Sequence, residues 1–224
     1  MIIFVNNMNI KKLALLSGVL LAFSWPAIGF SPLIFIAFIP LLILEEDARK
    51  SKQVFWGSFL AFFLFNAITT YWIFHATPFG AFAAFLVNTT LMATAFWLFH
   101  KVKKAISNRL GYFSFIVLWI GMEYLHLNWD LSWPWLTLGN VFANFPLAVQ
   151  WYEFTGFLGG SFWVVSMNLL LFRVYQKGGK KVILLPILVM LIPFCISSYM
   201  YFNFEDENEQ SVNALIVQPN VDPY

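Results

Sequence analysis

Apolar runs separated by short polar breaks divide this chain into segments of roughly the length that a bilayer sets. Two short runs come first, at about residues 13–24 and 31–44. Longer ones follow at about 54–75, 79–99, 112–127, 148–172 and 182–202. A transmembrane helix needs roughly 20 predominantly apolar residues, so the first two runs are either two short spans or one interrupted span. Lys11-Lys12 ahead of the first run gives it the outline of a signal peptide. Ser24-Trp25-Pro26 offers no small-x-small cleavage site, however, so the run is expected to remain as an uncleaved first helix.

The charges choose between the two arrangements. All 13 lysines and arginines lie at residues 11–12, 49–52, 101–109 and 173–181. If residues 13–44 cross twice, every cation falls on one side; if they cross once, Lys11 and Lys12 stand opposite the other eleven. Cytoplasmic loops carry the excess of Lys and Arg. The pattern therefore predicts about seven spans, a cytoplasmic amino terminus, and everything after about residue 203 on the outer side.

Composition agrees. The chain of 224 residues is 60% hydrophobic and 11% charged, with a mean hydropathy of +0.74. Soluble domains carry about 25% charged residues, so too few are present here to cover a water-facing surface. An all-α polytopic membrane protein is the expected fold class. No basic face interleaved with aromatics is present, and nucleic acid is not an expected partner. One cysteine, Cys195, permits no intrachain disulfide. The three histidines share no metal-ligand spacing with one another or with it.

Between the fifth and sixth runs, residues 128–150 contain no lysine or arginine but include Trp129, Trp133, Pro134, Trp135 and Pro146. Tryptophan favours the membrane–water interface, so this segment reads as a lid on the non-cytoplasmic face. Trp135 is a candidate substrate-contacting residue and Trp133 a candidate anchor. Glu123 sits inside an apolar run, where a carboxylate is expensive and usually faces protein or a water-filled cavity. His126, three residues on, shares its helix face, and the two are expected to form a polar pair. Glu153 suits a helix N-terminus. Asn66, Thr69 and Thr70, and Asn88-Thr89-Thr90, are expected to bond between helices, the Gly156, Gly159 and Gly160 cluster to permit close packing, and His75 and His100 to be interfacial. Cys195 has no base or cation near it in sequence and reads as an inert packed thiol.

Past residue 202 the character changes. Residues 205–210 form an acidic, cation-free linker. The run from Val212 to Val217 is rich in β-branched residues and is closed by Gln218-Pro219-Asn220, so it reads as a strand. One strand is not stable alone. The expectation is that residues 211–224 open an α/β soluble domain of which this sequence holds only the first strand.

With these residues in view, the chain resembles the apolipoprotein N-acyltransferase family. Trp25-Pro26-Ala27-Ile28-Gly29 with Pro40-Leu41-Leu42 is similar to the family's opening hairpin, and Trp56-Gly57 with Tyr71-Trp72 to its third span. Glu123, Pro134-Trp135-Leu136 and Gly139 resemble its extracytoplasmic loop, and Glu153-Phe154-Thr155-Gly156 the start of the next span. Ala214 to Val221 looks like the first strand of its nitrilase-like domain. The resemblance implies a bacterial inner-membrane enzyme that moves an acyl chain from a phospholipid to the α-amine of a diacylglyceryl lipoprotein through a cysteine thioester. The implied Glu-Lys-Cys triad lies beyond Tyr224, so no catalytic residue is assigned here and the 224-residue chain alone is expected to be inactive. No metal or cofactor is implied, and a monomer is expected. A transporter module and a non-catalytic membrane scaffold are the alternatives.

Overall fold

A computed structural model describes residues 9–27, 29–204 and 215–218. Among them the chain forms α-helices at Ile10–Ser24 (α1), Ile39–Asp47 (α2), Ser51–Thr69 (α3), Pro78–Ala105 (α4), Asn108–Leu127 (α5), Tyr152–Lys177 (α6) and Lys180–Phe202 (α7). Short 3-10 turns at Ser31–Ile36 and Tyr71–His75 precede α2 and α4, and three more lie between α5 and α6. Four stretches, Pro78–Ala105, Asn108–Leu127, Tyr152–Lys177 and Val182–Phe202, are long and apolar enough to cross a membrane.

Local chemistry sets the helix ends. The Asn9 side chain accepts from Lys12 N at 3.0 Å, and the Thr77 and Ser107 hydroxyls accept from Gly80 N and Leu110 N at 3.2 and 3.3 Å. α3 stops short of the expected residue 75. The Thr69 and Thr70 hydroxyls turn back on Phe65 O and Asn66 O at 2.7 and 2.6 Å, and the backbone tightens into a 3-10 turn. Of the polar residues expected to bond between helices, Asn66 and Asn88 do so, with Asn88 Nδ2 of α4 donating to Asn66 Oδ1 at 2.7 Å, while Thr69, Thr70 and Thr90 bond within their own helices.

An aromatic cluster forms the centre of the core. Trp119, fully buried, meets Phe38, Phe62 and Phe115 with ring centroids 4.9, 5.4 and 5.8 Å apart, mostly edge-on or tilted. Phe38 follows the one break in the second apolar run, where the 3-10 turn at Ser31–Ile36 gives way to α2. Side chains pair three of the backbone groups at the break. Asn168 of α6 donates to Ile34 O at 2.8 Å and accepts from Phe38 N at 2.9 Å, and the Ser17 hydroxyl of α1 donates to Ala37 O at 2.5 Å. Irregular backbone at membrane depth is tolerated where protein satisfies it.

The ends of α2, α4 and α6 and the start of α5 come together at one end of the bundle. There Lys103 bonds both Glu45 and Glu46, and His100 Nδ1 lies 2.8 Å from Glu45 Oε1. His100, expected at an interface, is buried instead, because Glu45 draws it into this ion cluster. Burial alone would raise the Glu46 carboxyl above its ordinary range. The Lys103 ammonium, with Tyr112 and Gln176 also bonding the same carboxylate, outweighs burial and lowers it.

Two further expectations are corrected. Cys195 is exposed and not packed, since α7 rests mainly on α6 and the loop around the Pro146–Ala148 turn and leaves most of its circumference uncovered. Gly156 packs against nothing; it has φ +63° and breaks the helical path between the first turn of α6 and the rest. No strand occurs among the described residues. Of the expected strand at 212–217, positions 215–217 are described and unpaired, and 212–214 lie outside the described residues.

Candidate functional site at the tryptophan-rich loop

The segment between α5 and α6 closes the end of the bundle opposite the ion cluster. Its prolines start 3-10 turns at Pro134–Leu136 and Pro146–Ala148, with a third turn at Leu138–Phe142 between them. Thr137 Oγ1 and Asn140 Nδ2 both donate to Pro134 O, at 2.8 and 3.0 Å, which folds the Trp133–Asn140 stretch on itself.

Docking then runs through main-chain atoms of the loop. Glu123 Oε1 accepts from Leu138 N at 2.8 Å and also from Trp119 Nε1 at 2.9 Å, one helical turn back. Ser161 Oγ of α6 accepts from Gly139 N at 3.0 Å, and the Tyr152 hydroxyl donates to Gly139 O at 2.9 Å. Ser31 donates to Val141 O at 2.8 Å, and Ser197 of α7 accepts from Gln150 N at 2.6 Å. Gly139 is required by contact. A Cβ there would stand 1.9 Å from Phe157 O, and Gly160 lies immediately against it.

The five sequence-predicted site residues separate into two groups. Glu123 and His126 are both buried, on one face of α5, and Trp133 is half-buried beside them against Ile73, Ala81 and Phe85. These three line one small cleft with Asn88 and Thr137. The expected polar pair is not a direct one: His126 Nδ1 accepts from Trp129 Nε1 at 2.8 Å, and Glu123 turns to Trp119 and the loop. Trp135 is on the same loop but projects outward, 60% exposed. Glu153 lies apart, exposed on the first turn of α6 ahead of the Gly156 break.

Sequence reading missed Ser161, Tyr152, Ser31 and Ser197, whose polar groups are ordinary for helices and become recognisable only when the loop is in place. The Trp119 to Glu123 spacing of four residues was the available signal for an internal bond on α5. A further cavity of about 380 Å³ opens above the cleft. It is walled by Gly80, Ala83 and Ala84 of α4 and by Leu131, Ser132 and Trp133, and it shares Asn88, His126 and Trp133 with the cleft. Among the described residues no cluster of three His, Cys, Asp or Glu could hold a metal ion. The arrangement fixes a loop and presents polar groups at the floor of a pocket.

Known proteins resemble this chain over most of its length. Residues 17–170 match the model of the apolipoprotein N-acyltransferase N-terminal domain. The chain is similar to the apolipoprotein N-acyltransferase of Chlorobaculum tepidum, 32% identical over 221 residues, which is 95% of this chain and 42% of that protein. It is also similar to that of Geobacter metallireducens, 31% identical over 80% of this chain and 38% of the relative. A third is apolipoprotein N-acyltransferase 1 of Treponema denticola, 28% identical over 95% and 41%. The chain thus spans about two fifths of the length of these curated relatives. By the match over more than half of its length, including the loop, the chain belongs to the apolipoprotein N-acyltransferase family.

Proposed function

We propose that these residues form the membrane platform of an apolipoprotein N-acyltransferase. The platform crosses the bilayer seven times, at about 13–24, 31–44, 54–75, 79–99, 112–127, 148–172 and 182–202. The amino terminus and the 13 cations face the cytoplasm, and the loop and all residues after about 203 face the periplasm. The observation that carries the reading is the division of the bundle into two ends. Lys103, Glu45 and Glu46 gather at one, and the cation-free, tryptophan-rich loop is docked across the other. Positive-inside orientation then sets the loop on the outer face.

In this reading a linker at 205–210 leads to a nitrilase-like domain opening at 211–224. A cysteine thiolate of that domain attacks a phospholipid ester, releasing the lysophospholipid and forming a thioester, and the α-amine of a diacylglyceryl lipoprotein then displaces the thiol to form an amide. A thiolate is a strong nucleophile, and its thioester acylates an amine readily. The platform holds the lipid substrates next to that chemistry, with Trp135 reaching toward them, Trp133 anchoring the loop, Glu123 and His126 supporting it, and Glu153 flanking the site. It works as a monomer without cofactor. The 224-residue chain by itself forms no thioester.

The test is acyl transfer from labelled phospholipid to a diacylglyceryl peptide, using a polypeptide that carries these residues together with a nitrilase-like domain. Trp135→Ala should lower turnover at least tenfold with the melting temperature unchanged. Unaltered turnover would remove Trp135 from the substrate path. No transfer by the unsubstituted protein would favour the scaffold or transporter alternatives.

A further inference from the structure

Two buried polar atoms of the site have no hydrogen-bond partner, Glu123 Oε2 and His126 Nε2. Their roles are complementary. An indole N–H can only donate, so the Trp129 bond to His126 Nδ1 makes that nitrogen an acceptor. The proton of the neutral imidazole is then on Nε2. One atom is therefore a donor lacking an acceptor, and the other an acceptor lacking a donor. Both residues are more than nine-tenths buried, at 4% and 6% exposure, and both line the cleft under Trp133 and Thr137.

The size of that cleft restricts what it takes. At about 10 Å³, it is close to the lower bound of about 10–15 Å³ that one water requires. An organic group of several atoms does not fit. Asn88, His126 and Trp133 also line the 380 Å³ pocket, so the two cavities adjoin. Buried waters typically sit where otherwise unsatisfied donors and acceptors converge.

We propose that a single exchangeable water is bound between Glu123 and His126, accepting from Nε2–H and donating to Oε2. It completes the polar seam that joins α5 to the loop. The same carboxylate then holds Leu138 N through one oxygen and, through the water, the ring that holds Trp129 through the other. The loop is thereby tied to α5 on both sides of Trp133. This inference rests on the cleft and not on acyl transfer, so a protein without transferase activity tests it equally well.

The direct experiment is a structure of the protein in lipid nanodiscs at a resolution that shows ordered water. One density peak within hydrogen-bond distance of both atoms is expected. An empty cleft, or a direct bond between Glu123 and His126, overturns the proposal. A solution experiment reads the same link through melting temperatures of Glu123→Leu, His126→Leu and the double variant. The bonds each residue makes elsewhere add independently, whereas a shared water does not. The double variant should therefore melt clearly above the temperature given by summing the two single losses, and strict additivity overturns the bridge. If the leucine variants fail to fold, the density alone decides.

Discussion

Asn168 Oδ1 accepts the backbone N–H of Phe38 at 2.9 Å, across 130 residues of chain. The same amide donates to Ile34 O, so one side chain of α6 satisfies both edges of the break before α2. Removing it strands the buried Phe38 N–H and leaves Ile34 O with only its 3.3 Å bond from Ala37 N; a stranded group costs about 1–3 kcal/mol. Asn168→Leu should therefore lower stability by about 1–4 kcal/mol, measured by thermal or denaturant unfolding in detergent. A change within experimental error would mean the break is satisfied in another way.

Glu123 offers a graded test of the loop dock. Glutamine keeps an oxygen for Leu138 N and Trp119 Nε1; leucine keeps none. Glu123→Gln should leave the loop protected, while Glu123→Leu should expose residues 128–151 to protease and lower stability by about 2–4 kcal/mol. Equal behaviour of the two variants would show that the carboxyl oxygen does not hold the loop.

Gly139 and Gly121 should respond to alanine with opposite signs. At Gly139 the added methyl meets Phe157 O at 1.9 Å, and backbone must move. A methyl on Gly121, in the interior of α5, meets nothing within 4 Å. Gly139→Ala should lower the melting temperature and loosen the loop. Gly121→Ala should raise stability by about 0.5–1 kcal/mol through helix propensity. The pair is read in one thermal-shift experiment, and a gain at Gly139 would contradict the close approach.

The ion cluster gives a pH prediction. Glu46 is held below its ordinary range in the folded protein, so its contribution to stability is complete above the unfolded value near 4.5. It is lost as the pH falls through the lowered folded value. Between pH 6 and pH 3 the wild type should lose more melting temperature than Glu46→Gln, with the divergence beginning below about 4.5. Because Glu46 is partly exposed, the difference will be small and salt-sensitive. Parallel curves would show that Lys103 does not lower it.

Most of the helical pattern could be read from the sequence because apolar length and cation position are properties of single segments. The loop was also legible as a unit, from its tryptophans and its lack of cations. What was hidden depends on pairs distant in sequence. Nothing around His100 signals that Glu45 will draw it inward, and nothing around Asn168 marks it as the partner of a break near Phe38. Cys195 was misplaced because an apolar run looks the same whether protein or lipid surrounds it. Glu123 was found, but its bond to Leu138 follows from a fold of the loop that composition does not specify.

The loop is held at Leu138 N, Gly139 N, Gly139 O, Val141 O and Gln150 N, and every partner is a side chain outside residues 128–151. Backbone groups are supplied by nearly any residue, so the loop's own letters carry little of the burden of keeping it in place. Gly139, required by contact, and Trp129 and Asn144, whose side chains donate to His126 Nδ1 and Pro26 O, are the exceptions. Exposed loop positions, Trp135 among them, can therefore change what the surface presents while the helices below retain the grip.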